Sequence, residues 1–429
     1  MTVSGEAGNA WAIAFGPFQA DPALNRLTRD GRVIELRPQA FHVLKALAET
    51  RGRYVDYEHM LRAAWGGTVV SKHTVAVTVG EVKRALQEFG PWISYRPKLG
   101  YRLDVPRSDD LIKKGWHFAA RHTCEGLGKA ICHFQQAAEE DPGDFRAYEG
   151  MSSAYLLLAT WGMRSPRETY SKFLDAHSHA VAMRGLTPDL RANRAHGLHV
   201  FERRFDEAEA ELLAAQKEQP NLAAIEVRLA VLYCSMGRLE DAERALRRVA
   251  VGGELDPFFA STRIVVRICQ RDFAVAVESG RQALELHPYH QLSRFFYADA
   301  LECAGRFEEA LTEYRHAGEL SPDLLWLRAM ECTCFAKLGR QTEALAILRE
   351  LQETRAHSYV DPYHMALLRE ALGQREAAMA ELQLACEENS SMLHMLDVDP
   401  KLDSMRADAG FLRIRERAFP GPFTELLAR

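Results

Sequence analysis

Six alanines constrain most of what this chain can fold into. Ala208, Ala242, Ala276, Ala310, Ala344 and Ala378 stand 34 residues apart. Phe205, Leu239, Phe273 and Phe307 keep the interval three residues earlier, and Ala215, Ala283, Ala317 and Ala385 keep it seven residues later. Pro220, Pro288 and Pro322 close three of the units. Each unit reads as a helical hairpin with an apolar face that it cannot bury alone. Stacking neighbours supplies a continuous core, and the alanines let the helices approach closely.

A 34-residue period with a small residue inside the second helix is the tetratricopeptide signature. Two earlier units fit it less strictly. One contains GLGKAICHFQQAAEEDP, with Ala130, Ala137 and Pro142; the other runs through Tyr170 to Pro188, with Ala176. About eight hairpins are expected from Leu111 to about Asn389. Gly252-Gly253 marks a slight insertion. The tail, LDVDPKLDSMRADAGFLRIRERAF, turns at Asp399-Pro400 and leaves the period. A last helix covering the open end of the array is expected there.

The first hundred residues read differently. Trp11 to Phe18 suggests a strand, and Asp30-Gly31 between Leu27–Arg29 and Val33–Leu36 signals a two-residue hairpin. Pro38 opens a helix with Phe41, Leu44, Leu47 and Ala48 inward and Gly52 at its end. Asp56 caps a second helix bearing Met60, Leu61 and Trp65, stopped by Gly66-Gly67. Ser71 caps a third, whose Val75, Val79, Val82 and Leu86 form one apolar stripe. Its other face begins with Lys72, His73 and Thr74 and continues through Val77, Thr78 and Glu81. A hairpin from Ile93 to Leu103 follows, with Arg96, Lys98 and Gly100 at its tip. A helix with short polar outward residues and then a basic hairpin is the sequence form of a winged helix-turn-helix. The helix enters the DNA major groove and the wing follows the backbone or minor groove.

Charge is distributed to match. Residues 1–106 hold 14 Lys and Arg against 10 Asp and Glu, a net of +4, within a chain whose formal total is −5. The remainder therefore carries −9, a basic head on an acidic body. The eight cysteines form no C-x-x-C pair, and Cys332-x-Cys334 is the closest spacing. They read as small buried apolar residues in a reducing cytoplasm. The opening MTVSGEAGNAW has neither the basic region nor the apolar run of a signal peptide. No stretch reaches the roughly 18 apolar residues of a membrane span. A cytoplasmic protein without membrane attachment is expected.

Catalytic signatures are missing from the text. There is no phosphate loop, dinucleotide glycine motif, H-E-x-x-H or G-x-S-x-G. His177-x-His179 and His287/His290 read as surface or capping residues, and Glu139-Glu140-Asp141 as a solvated helix end. No enzyme, cofactor or metal site is expected. A curved array presents a concave groove, and Arg194 and Arg228, one period apart, are candidates to face an acidic peptide, with ordinary solvated arginines as the plainer reading. Trp161, Trp326 and Tyr297 read as repeat core.

LRPQAFHVLKAL, the Val55–Trp65 helix with Gly66, TVAVTVGEVKRAL and the ending LGYRL together resemble the OmpR-type effector domain. That resemblance covers about the first quarter of the chain. It implies a small sheet, three helices and a wing, with DNA contacts at Lys72, His73, Thr74, Val77, Thr78, Glu81, Lys83, Arg96 and Lys98. One departure is Gly80-Glu81, where response regulators of the family often place two arginines. Text from Trp116 to Tyr155 and the ending VDPKLDSMRADAGF extend the likeness to transcriptional regulators joining such a winged helix to a tetratricopeptide domain. The expected architecture is mostly α: a small α/β winged helix at 1–106, a linker at 107–114, an α-solenoid of tetratricopeptide hairpins at 115–395 and a capping segment at 396–429. The implied function is sequence-specific regulation of transcription. The partners are double-stranded DNA, a protein, peptide or effector at the repeat groove, and, as an open alternative, a second copy in a homodimer. The competing reading is a tetratricopeptide adaptor whose winged helix docks protein.

Overall fold

A computed structural model of the chain describes residues 13–15, 18–29, 32–50, 52–105, 107–220, 222–249 and 255–419. It divides into two compact units. The first runs to Lys114 and includes Gln136–Asp144; the second comprises Gly115–Gln135 and the chain from Phe145 onward.

The first unit opens with four antiparallel strands in sequential order: β1 (Ile13–Phe15), β2 (Phe18–Asp21), β3 (Arg26–Arg29) and β4 (Arg32–Ile34). Arg29 pairs with Arg32, the register expected of the hairpin, although Asp30 and Gly31 themselves lie outside the described residues, as does Trp11. Three helices follow: α1 (Pro38–Glu49), α2 (Tyr57–Trp65) and α3 (Lys72–Ala85). Pro38 begins α1 because its fixed φ suits a first helical position and its missing N–H would have no partner there. Asp56 accepts from the His59 amide to start α2, and Gly66 ends it with φ 59°. The sheet and helices enclose one core, with Phe18, Leu27, Phe41, Leu44, Leu47 and Met60 buried. Strands β5 (Ile93–Arg96) and β6 (Gly100–Leu103) complete the unit as a hairpin.

Residues 107–114, expected as a linker, are helical. They start α4 (Arg107–Ala119), whose first turn holds Asp109 and Asp110. Carboxylates are favoured there by the exposed amides of a helix N-terminus, so the polar text is helix start and not loop.

The second unit is a succession of helix pairs. After α4 and α5 (Cys124–Glu140) come α6 (Phe145–Thr160) with α7 (Pro166–Arg184) and α8 (Pro188–Gly197) with α9 (Phe205–Glu218). Then follow α10 (Ala223–Ser235) with α11 (Leu239–Arg247), α12 (Pro257–Cys269) with α13 (Phe273–Leu286), and α14 (Gln291–Cys303) with α15 (Phe307–Leu320). The series ends with α16 (Trp326–Lys337) and α17 (Gln341–Thr354), then α18 (Pro362–Ala371) and α19 (Arg375–Glu388). All six periodic alanines are fully buried, each on a second helix. Gly252-Gly253 lies outside the described residues. The coil meets itself: the Trp326 indole N–H donates to the Trp161 carbonyl at 2.9 Å, and the Cys124 amide donates to Asp323 at 3.1 Å.

The end of the chain does more than cover the last pair. Its closing helix α20 (Ala409–Ala418) sits by α19, where the Cys386 thiol meets the Ile414 carbonyl. Residues 391–406, however, run back along the first helices. His394 stacks edge-on against His199 with ring centres 4.7 Å apart. Lys401 bonds Asp299 and lies 3.0 Å from Glu302, and the Tyr363 hydroxyl donates to Asp399 at 2.8 Å. Two arginines fasten the tail, Arg271 at this segment and Arg203 on either side of it. The turns between helices reach positive φ at Arg203, Gly237, Arg271, Gly305, Gly339 and Gly373, one period apart. That conformation costs a side-chain-bearing residue about 1–2 kcal/mol. The two exceptions to glycine both reach the tail: Arg203 bonds Asn389 and the Ala418 carbonyl, and Arg271 bonds Asp403 and the Val398 carbonyl.

Candidate nucleic-acid interface

The third helix is positioned from three sides. The Ser71 hydroxyl accepts from the Thr74 amide at 3.1 Å and fixes its first turn. The Tyr57 hydroxyl donates to the Val70 carbonyl and ties the entering chain to α2. Val75, Val79, Val82 and Leu86 are buried in the core of the first unit, which sets the helix rotation.

That rotation sorts the expected contact residues. Lys72, His73 and Thr74 are exposed, and Val77 is 48% exposed. Thr78 is not available: it is 4% exposed, and its hydroxyl donates to the Thr74 carbonyl at 3.0 Å. A short polar residue at the margin of the apolar stripe can turn either way, and here the backbone acceptor one turn back draws it inward. Glu81 is engaged by Arg37, whose Nε lies 3.0 and 2.9 Å from its two oxygens. The guanidinium holds the Glu81 carboxyl below the usual carboxylate range. Lys83 is half-buried beside the exposed Arg84, whose Nε donates to the Gly80 carbonyl at 3.3 Å and which was not among the expected contacts. Arg84 lies eleven positions after His73, which is the same face of a helix, so the signal was there.

The wing is built by registration and by a strained turn. Ile93 pairs with Leu103, Tyr95 with Tyr101 and Arg96 with Gly100. The Leu99 amide donates to the Arg96 carbonyl at 3.2 Å, closing a turn over Pro97 and Lys98. Lys98 has φ 68°, a value that such turns normally assign to glycine or asparagine. Gly100 has no alternative: at φ +101° a Cβ would lie 2.0 Å from the Val55 carbonyl oxygen. Arg96 and Lys98 are both exposed at the tip, and the Arg102 guanidinium stands 5.1 Å over the Tyr54 ring. The unit therefore sets an outward helix face and a basic hairpin tip on one rigid core.

The groove candidates in the second unit are committed elsewhere. Arg194 pairs with Glu202 and donates to the Tyr170 hydroxyl at 3.1 Å. Burial alone would push the Glu202 carboxyl up, but hydrogen bonds from Arg194 and Tyr170 outweigh it and hold it at about 2. Arg228 donates to Asn193 at 3.1 Å. Trp326 is buried against Phe295 and His364. His290 caps α14, and His177 is buried against Phe173. No group of three His, Cys, Asp or Glu among the described residues is placed to hold a metal ion, and no described helix is long and apolar enough to cross a membrane.

Residues 31–103 match the family described as "Transcriptional regulatory protein, C terminal". The transcriptional activator CadC of Escherichia coli strain K12 is 28% identical over 98 residues, covering 22% of this chain and 19% of CadC. The transcriptional regulatory protein CutR of Streptomyces coelicolor is 37% identical over 87 residues, covering 20% of this chain and 40% of CutR. The chain thus spans less than half the length of either relative. Among solved structures, a human IFIT1 dimer with PPP-AAAA is similar in fold, with a TM-score of 0.51 and 12% identity over 81% of this chain and 79% of that one. The first unit is accordingly an OmpR-type winged helix of the transcriptional-regulator kind. The second is a tetratricopeptide-like helical solenoid.

Proposed function

We propose that this chain is a sequence-specific DNA-binding regulator of transcription that acts in the cytoplasm. In this reading α3 reads base edges in the major groove and the β5–β6 hairpin lies along the phosphates. The supporting observation is the pairing of an outward helix line that includes His73 and Arg84 with a wing tip bearing Arg96 and Lys98. A lysine at a turn position better suited to glycine adds to that support, because its charge serves no ion pair within the fold among the contacts described. The repeat unit is the part that answers to a partner or effector, or that joins two copies. A ligand entering along its first helices would compete with residues 391–406.

The test is DNA binding by the full-length protein and its Lys98→Glu variant, on a duplex selected from random sequence. The variant should bind every duplex more weakly, with the salt slope reduced by about one. Unchanged affinity and slope would remove the wing from the interface and favour the adaptor reading.

A further inference from the structure

Residues 391–406 lie on the solenoid as a bound peptide does. The segment meets one first helix after another. Met395 Sδ accepts from the Ser235 hydroxyl of α10 at 3.6 Å, Lys401 reaches Asp299 and Glu302 of α14, and Asp399 accepts from the Tyr363 hydroxyl of α18. Its own backbone bonds close locally: the Leu393, Leu396, Val398, Asp399 and Leu402 amides all donate to carbonyls within residues 390–399. Leaving the helices would break none of these five bonds.

The fit is closest at Lys401 and loosest beside it. The Lys401 ammonium bonds Asp299, lies 3.0 Å from Glu302 and donates to the Tyr314 hydroxyl at 3.3 Å. Tyr314 and Thr333 each donate to Glu302 at 2.8 Å, so groups other than the lysine hold that carboxylate in place. A buried ammonium needs such a set of charges and hydrogen bonds, and the two carboxylates need a cation between them. Leu396 and Leu402, on either side of Lys401, are fully buried. Next to them a cavity of about 50 Å³ remains, lined by Phe295, Phe296, Met330, Met392 and Met395. Close-packed interiors leave few voids of that size, so the segment fills its bed incompletely.

Deepening the reading of the repeat unit as the part that answers to a partner, we propose that the face lined by α10, α12, α14, α16 and α18 is a peptide-binding groove with a lysine pocket at Asp299, Glu302 and Tyr314. Residues 391–406 are its resident occupant. The partner is a protein segment that presents a lysine flanked by leucines, and it binds by displacing the tail.

The first arm of the test is hydrogen exchange of the full-length protein. Amides between Leu393 and Leu402 should exchange about tenfold faster or more than those of α14 and α16, because the tail opens while the helices stay folded. In the second arm a fluorescent peptide of residues 390–408 is titrated into the full-length protein and its Lys401→Met variant. The tethered tail competes at high effective concentration, so the wild type should bind the peptide about tenfold more weakly, or less still, than the variant whose tail has lost its cation. The same peptide carrying Lys401→Met should lose about tenfold or more on the variant. Tail amides that exchange in step with α14 and α16 would overturn the proposal, whether or not the variant folds. So would a peptide that binds equally with and without its lysine, or one that binds neither protein. DNA binding by the wild type and Lys98→Glu is read separately, so the regulator reading stands or falls on its own result.

Discussion

Replacing Gly80 with alanine should stabilise the helix and weaken the complex at once. Glycine in a helix interior costs about 1 kcal/mol relative to alanine. The new Cβ meets no atom within 4 Å, so no steric penalty offsets that gain. A gain of about 1 kcal/mol in local opening slows amide exchange roughly fivefold. Hydrogen exchange of the full-length protein, read on peptides spanning Lys72–Ala85, should show that slowing. DNA affinity measured on the same preparation should fall, because the added methyl group stands on the exposed side of α3 and holds the backbone away from a groove. Faster exchange would mean that glycine serves a packing need absent from the structure. Slower exchange with unchanged or tighter DNA binding would show that DNA does not approach the Gly80 backbone closely.

Three other perturbations probe the second unit. Lys401→Met leaves Asp299 and Glu302 facing each other without their cation and should cost about 3–5 kcal/mol in guanidinium unfolding; a loss under 1 kcal/mol would contradict the pairing. Arg271→Gly relieves about 1 kcal/mol of backbone strain but gives up a part-buried charge-assisted bond to the Val398 carbonyl worth about 1.5–3 kcal/mol and an exposed pair with Asp403 worth at most about 1 kcal/mol. The variant should therefore unfold at lower denaturant and release the tail to limited proteolysis sooner, and a more stable variant would show that the clamp contributes nothing. Burial holds His394 neutral, its pKa lowered to about 4, and pushes the neighbouring His199 down as well. Their folded pKa values lie below the unfolded value near 6.5, so their stabilising effect is complete above that pH and is lost as pH falls through 6.5 toward 4. The unfolding free energy from urea titration should drop between pH 7 and pH 5 by an amount on the order of 2 kcal/mol for His394 alone, and a value unchanged over that range would rule out the buried neutral pair.

Much of the fold was legible because its causes are local. The 34-residue alanine interval marks where second helices press together, and that holds wherever the pairs stack. Ser71, Asp56 and the valine stripe act within one or two turns, so their roles follow from spacing alone. The misplaced residues depend on partners distant in sequence or on a boundary. Glu81 was expected at DNA, yet its charge is spoken for by Arg37, 44 positions away. Thr78 lies at the edge of the stripe, where period alone cannot choose a side. Arg194 and Arg228 keep the period but are bonded within the solenoid. The path of the tail had one signal in the text: arginine at 203 and 271, where the other turns of the series have glycine.

The most direct test of the whole account is a salt titration of DNA binding by the full-length protein, using a selected duplex and a scrambled one. The account predicts preference for the selected duplex and a log K that falls linearly with log salt, by about 0.9 for each phosphate contacted. Equal affinity for both duplexes, or binding indifferent to salt, would contradict it.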